Sequence, residues 1–370
     1  MKLSDSQITY EYVPENWSQE AFLSVGGFVC VFLNYNKLDS IERSVKSALD
    51  QDFSPLEFFF MDDCSSDGSE AVMEKLVRTY KGPNKVTVVR NSKNQYITGQ
   101  WNIVTRLATG NWFGMFCGDD VSHQNRVSIA ESIIKRFPTI KGMCTSTNLI
   151  DFRTNESWGV MFANQPLLVS KGTDTIEELA RNFKSIGASS FWHRSLFEIP
   201  LPKVPLDDDY LHWRCLIDGS GSPDALWVYN GEDIAVDYSI GTGVTSNAYD
   251  LIDAKTPVQK WIACKESERH FASQQFKTLC SVCEYASGKK AAGGLLSLIR
   301  LLKIKASWYM SGTVERSLNL HKLLGCLFYP ELSFRFKSRV VNRCLVDYCK
   351  DFFGLQVAAR LSCLVHRKRI

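Results

Sequence analysis

Four strand-like runs return at near-constant intervals in the first third of this 370-residue chain: Phe28 to Leu33, Leu56 to Met61, Lys85 to Arg90 and Trp112 to Cys117. The first is apolar without a break, and Leu56 to Met61 and Trp112 to Cys117 are nearly so, interrupted by Glu57 and Gly114. That is the pattern of strands buried on both faces, as in a parallel sheet, rather than the alternation of a half-solvated one. The segments between them read as helices at Ile41–Asp50, Ser69–Tyr80 and Thr98–Thr109. Strand–helix units of about thirty residues predict a mostly parallel, doubly wound sheet with helices on both faces. Such a sheet aligns the C-terminal ends of its strands along one edge, where ligands bind.

The residues that follow the strands are polar in a chemically specific way. The first run breaks into Asn34-Tyr35-Asn36-Lys37, the second into Asp62-Asp63-Cys64-Ser65-Ser66-Asp67-Gly68, and the fourth into Gly118-Asp119-Asp120. By itself Gly-Asp-Asp suits a turn, since both residue types favour turns. Three such clusters on one sheet edge would instead hold a nucleotide, with a metal bridging its phosphates to a carboxylate.

The pattern continues with a helix over Asn125–Phe137 and a strand near Gly142–Thr147. Residues 151–175 read as loop or β-excursion, followed by a short helix, Ile176–Asn182. Pro200, Pro202 and Pro205 then give an extended approach to Asp207-Asp208-Asp209 and a helix, Tyr210–Ile217. These three acids either begin a helix, where the dipole favours them, or supply a general base. A strand at Asp224–Tyr229 and a Gly-rich segment, Val236–Ser246, close this part.

Net charge is only +3, but it is unevenly spread. Residues 255–370 hold 21 Lys and Arg against 7 Asp and Glu. Long basic helices there suit an anionic membrane surface, or form a helical subdomain with a solvated face. The tail carries no nucleic-acid-binding motif, and the acidic remainder would repel phosphate, so no nucleic-acid partner is expected. The 12 cysteines are scattered. Cys280-x-x-Cys283 has no second pair at zinc spacing. Met1 to Gln19 lacks the apolar core of a signal peptide, and no run suffices for a membrane span. The expected location is cytoplasmic, peripheral at the cytoplasmic membrane face.

In its order of motifs the chain resembles the family 2 inverting glycosyltransferases of GT-A fold, of the kind that build bacterial surface polysaccharides. The resemblance rests on Val-Phe-Leu-Asn-Tyr-Asn-Lys (31–37), Ser47-Ala48-Leu49-Asp50-Gln51, the long Asp62–Gly68 match, and Arg90, Asn91, Asn94, Asn102, Ala108 and Gly110 leading into the Asp119 strand. Asp208-Asp209-Tyr210 with Trp213 fits the later acidic pair. Together these cover about residues 28–245. The resemblance implies three parts: an N-terminal lead (1–27), a GT-A domain (28–250), and a basic C-terminal helical extension (251–370).

Carried over by position, Asn34, Tyr35, Asn36, Asp62, Asp63, Asn94, Asn102 and Asp119 would bind the donor nucleotide. Asp119 and Asp120 would hold Mn²⁺ or Mg²⁺, with Cys117 standing where the family has another acid. Asp209 would be the catalytic base, or Asp208 if the register is shifted by one. Ser239 stands where an Arg or His often serves the diphosphate, a contact that Arg194 or a tail Lys could replace. The implied reaction is a single displacement, in which a glycan or lipid-linked acceptor hydroxyl attacks the anomeric carbon of a nucleotide sugar. A nucleotidyltransferase would need a Gly-rich basic loop after the first strand, and a dehydrogenase would need Gly-x-Gly-x-x-Gly there; the chain has neither. The remaining alternative is a degenerate fold of the same type acting as a non-catalytic nucleotide-binding or scaffold subunit.

Overall fold

Side chains on β2 (Phe28–Asn34) divide strictly by parity. Val29, Val31 and Leu33 enter one core, while Phe28, Cys30 and Phe32 enter another on the opposite face of the sheet. The run reads as continuously apolar because both faces are covered. β3 (Glu57–Asp62), β4 (Lys85–Asn91) and β5 (Trp112–Cys117) lie parallel to it, in the order β4-β3-β2-β5. The computed structural model describes residues 5–240, apart from scattered positions between 153 and 185, together with single positions from 274 to 289.

Helices α2 (Ile41–Leu49), α3 (Ser69–Thr79) and α5 (Arg126–Arg136) cover one face, burying Ile41, Val45, Met73, Val77, Val127 and Ile133. The other face is covered by α1 (Gln19–Ser24) through Phe22, α4 (Tyr96–Leu107) through Trp101 and Val104, and α6 (Asp207–Asp218) through Tyr210 and Leu211. Apolar residues at helical spacing on each helix bury about one stripe, which suffices to dock it on a sheet.

The sheet extends beyond the four parallel strands. β1 (Ser6–Tyr12) pairs antiparallel with β4, so the expected polar lead contributes an edge strand. Beyond β5 the order is β10 (Phe191–His193), β7 (Gly142–Asp151), β11 (Ala225–Ile240) and β6 (Val121–Ser122). β8 (Ser157–Val160) and β9 (Leu168–Lys171) attach to β7 and β11. The segment expected to be loop or β-excursion thus supplies two strands. The strand expected at Asp224–Tyr229 and the segment from Val236 are one strand, with the pairing shifted between Asn230 and Ile234. The polar Gly231-Glu232-Asp233 marks that irregularity, where Asn230 Nδ2 donates to Asp233 Oδ2 at 2.7 Å.

The expected helix over 176–182 falls largely outside the described residues, as do 241–250 and most of the region 251–370. Single described positions of that region touch α6. Leu206 N donates to Thr278 Oγ1 at 3.3 Å, and the Tyr285 hydroxyl donates to Asp218 at 2.7 Å. Val282 and Ala286 are buried. Among the described residues, no helix is long and apolar enough to cross a membrane.

Candidate active site

Register brings the first clusters together. Asn34 lies beside Asp62 at the ends of β2 and β3, and Leu33 lies beside Cys117. Asn34 Nδ2 donates to Asp62 Oδ1 at 2.8 Å and to Ser69 Oγ at 3.0 Å. Its Oδ1 is buried and has no partner among the described residues. Asp62 also accepts from Ser65 N and Oγ, at 3.0 and 2.6 Å. The next corner is tied to the first through Asn36, whose Oδ1 accepts from Ser66 N at 2.8 Å. Asn36, Cys64 and Tyr96, one at each successive strand-to-helix corner, all have positive φ, at 52°, 66° and 62°. Left-handed non-glycine residues are costly and concentrate where the chain holds a ligand-binding geometry. Tyr35 projects from this edge, about half exposed.

Asp63 faces the third corner. It accepts from Asn91 Nδ2, Gln95 N and Tyr96 N, at 3.0, 2.7 and 2.9 Å. Burial raises its pKa despite these donors. Its oxygens therefore hold the entry to α4, which limits what they offer a ligand. Asn94 Oδ1 caps the same turn, accepting from Tyr96 N at 2.9 Å. Asn102 is spent elsewhere. It donates to Leu201 O at 2.9 Å and accepts from Leu201 N at 2.7 Å, anchoring the proline-rich segment to α4. In this position Asn102 spends one donor and one acceptor on the backbone of Leu201.

The Gly118-Asp119-Asp120 turn connects β5 to β6. Cys117, Asp119 and Asp120 place one ligand atom each within 4.8 Å of one another. Asp120 Oδ1 accepts from Ser239 N at 2.9 Å, while its Oδ2 is buried with no hydrogen-bond partner among the described residues. Burial, and then the charge of Asp119, pushes the Asp120 carboxyl well above the usual range. A buried carboxylate oxygen without a donor, beside a second carboxylate, fits a hard divalent cation. The Cys117 thiol does not, since burial and the neighbouring acids raise its pKa and favour the protonated form.

Three cations surround this turn. Lys37 Nζ lies 2.7 Å from Asp119 Oδ2. Arg43 donates to Ser239 Oγ at 3.0 Å and to Asp119 O at 3.3 Å. Arg126, wholly buried, donates to Ser122 Oγ and Met115 O and stacks on Phe116. The sequence reading missed all three. The one available signal was that Lys37 directly follows the Asn-Tyr-Asn corner. Arg194, which with a tail Lys is one of two alternatives for the diphosphate contact, caps α4, donating to Gly110 O, Thr105 O and Ala108 O at 2.6, 3.1 and 2.7 Å.

The three acids of α6 separate into different environments. Asp207 is buried and accepts from Trp101 Nε1 at 2.8 Å; burial and Asp208 push its pKa up to about 7. Asp208 Oδ2 accepts from Gly187 N at 3.0 Å. Gly187 opens a short turn, Gly187–Ser189, and Ser190 O after it accepts from Met115 N of β5 at 3.3 Å. Asp208 is thereby linked to the strand that carries Asp119. Asp209 is half-buried, and its pKa is raised by burial and by both neighbours.

A mostly parallel sheet with these clusters on one edge is the GT-A architecture, and the sequence comparison agrees. Residues 30–153, about a third of the chain, match the family model for glycosyl transferase family 2. The chain is 22% identical over 140 residues to the putative glycosyltransferase EpsE of Bacillus subtilis (strain 168). That match covers 38% of this chain and half the length of EpsE. Among solved structures, the mannosyltransferase PcManGT from Pyrobaculum calidifontis, in complex with GDP-Man and Mn²⁺, shares the fold at a TM-score of 0.51 and 14% identity. The likeness covers 88% of this chain and 86% of that one. S. aureus TarS in complex with UDP-GlcNAc matches at a TM-score of 0.47 and 13% identity, over 76% and 91% of the two chains.

Proposed function

We propose that this chain is an inverting glycosyltransferase that uses a nucleoside-diphosphate sugar as donor and a hydroxyl of a glycan or lipid-linked molecule as acceptor. The observation that carries this reading is the joining of two carboxylate sites. Asp119 and Asp120 lie in the turn that follows β5, and the Gly187–Ser190 segment ties Asp208 to the same strand. The nucleoside would lie against Asn34, Tyr35, Asn36 and the Asp62–Asp63 corner. Asp119 and Asp120 are the residues to hold Mn²⁺ or Mg²⁺, which when bound neutralises charge on the departing diphosphate.

The base comes from α6. Asp207 is buried against Trp101, which removes it from consideration. Between Asp208 and Asp209, the geometry favours Asp208. The Gly187 amide orients its carboxylate, and a base must be held in position before its pKa matters. It takes the acceptor's proton as the hydroxyl attacks the anomeric carbon from the face opposite the diphosphate.

The basic charge of residues 255–370 supports a site of action at an anionic membrane surface, and a role in polysaccharide or glycolipid assembly. The deciding experiment screens nucleotide sugars for hydrolysis or transfer with Mn²⁺ present, comparing wild type with Asp208→Asn and Asp209→Asn. Loss of turnover by at least about a hundredfold in Asp208→Asn, with donor affinity retained, is expected. Turnover lost only in Asp209→Asn moves the base by one residue. Turnover kept in both sinks the assignment of the base to this helix.

A further inference from the structure

We propose that Lys37 is the resident counter-ion of Asp119, and that a divalent cation reaches this carboxylate only by displacing it. The inference rests on the reading of Asp119 as a metal position and adds what opposes the metal there.

The pair is close and poorly solvated. Lys37 Nζ is 2.7 Å from Asp119 Oδ2, and the two side chains are only 20% and 11% exposed. An ion pair shielded from water in this way is harder to break than a surface pair, because water does not replace what is lost. The chain also makes room for it. A Cβ on Gly118 would stand 3.3 Å from Lys37 Cγ, so glycine at this position leaves the space that the lysine stem crosses.

The surroundings reinforce the effect. Arg43 donates to the Asp119 carbonyl and to Ser239 Oγ, so a second cation is fixed beside the turn that carries the two carboxylates. Cys117 adds a neutral thiol where a third carboxylate would have shifted the balance. The turn therefore has little net negative charge to offer a free divalent ion. A nucleoside diphosphate changes this. Its phosphate oxygens give the Lys37 ammonium another partner and add ligands for the ion. Cation and nucleotide then bind with positive coupling, each raising the affinity for the other by the same factor.

The experiment titrates Mn²⁺ into the full-length protein and follows free Mn²⁺ by electron paramagnetic resonance, without nucleotide and then with UDP or GDP. The variants are Lys37→Met, which keeps the stem and removes the charge, and Lys37→Arg, which keeps the charge. Thermal melting checks that each is folded. Without nucleotide, Lys37→Met is expected to bind Mn²⁺ about tenfold more tightly than wild type, while Lys37→Arg stays as weak. Nucleotide should narrow the gap between wild type and Lys37→Met. The added affinity should vanish in Lys37→Met/Asp119→Ala.

If wild type binds Mn²⁺ with nucleotide but Lys37→Met binds no more tightly without it, the counter-ion role is wrong and the metal site stands. Tightening that survives removal of Asp119 places the ion elsewhere and also overturns the proposal. If no variant binds Mn²⁺ under either condition, the metal reading fails and takes this inference with it.

Discussion

Asn34 and Asp62 end neighbouring parallel strands in register, and the Asn34 amide donates to the Asp62 carboxylate across 2.8 Å. Both residues are almost fully buried, so this bond closes the sheet edge against water where a nucleoside would sit. Asn34→Ala removes a donor from Asp62 and from Ser69 together. The expected cost is about 1–3 kcal/mol, the usual penalty for leaving buried polar groups unpaired. Urea unfolding measures it, and calorimetry with UDP and GDP should show nucleotide affinity falling as well. Unchanged stability with lost affinity would mean that Asn34 acts only on the ligand.

Asp207 should make the protein less stable as pH rises. Its folded pKa, about 7, lies above the ordinary carboxyl value, so between roughly pH 4 and pH 7 the folded state holds a proton that the unfolded state has lost. Stability therefore declines across that window and levels off above it. Asp207→Asn can still accept from Trp101 Nε1 and does not ionise. Relative to wild type it should gain stability from pH 4 to pH 7, by about 4 kcal/mol at most. A difference that does not change with pH would contradict the burial of a titrating group.

His123 and Asp237 join the residue after β6 to β11 at 3.1 Å. The Asp237 partner raises the imidazole pKa, and His123 lowers the carboxyl pKa. The histidine's contribution is complete below its unfolded value and is lost as pH rises through the folded one. The aspartate's contribution is lost on acidification. Since both side chains are about one-third exposed, the gain is a few tenths to about 1 kcal/mol. Comparing wild type with His123→Gln in urea at pH 5.5 and 8.5 should show a difference at the lower pH that fades at the higher.

Arg194 separates two roles by a single substitution. As a cap on three carbonyls at the end of α4, its loss in Arg194→Met should cost about 2–4 kcal/mol and lower the melting temperature. Affinity for a nucleoside diphosphate should be unchanged at temperatures where the variant is folded. Weakened nucleotide binding with normal melting would instead return Arg194 to the diphosphate.

The fold was legible where sequence periodicity is local. The parallel strands and their helices follow from runs that are apolar throughout at β2 and nearly so at β3 and β5, as in a sheet covered on both faces. The three clusters on one edge follow from that topology. β1 was hidden because an edge strand alternates polar and apolar residues and makes no continuous run. β11 was read in two parts because Gly231-Glu232-Asp233 looks like a break when its pairing partner is unknown. The site was legible in its acids, whose spacing is local. It was illegible in its cations, since nothing in the order of residues says that Lys37 and Arg43 turn toward a loop some eighty positions away. Arg194 shows the converse, because a basic residue near a predicted site gives no sign that a helix end has claimed it.

β10 lies between β5 and β7 although it follows both in the chain. During synthesis, β5 and β7 would therefore emerge before the strand that joins them exists. Until Phe191–His193 arrives, both expose unpaired backbone along an edge, the condition that invites pairing with other chains. Ser239, whose amide and hydroxyl hold Asp120 and Asp119, arrives later still. A fragment ending near residue 153 contains everything that the family model matches, yet it has two open strand edges and an unbraced carboxylate turn. The segment by which the chain is recognised is thus shorter than the segment that must be synthesised before it can close.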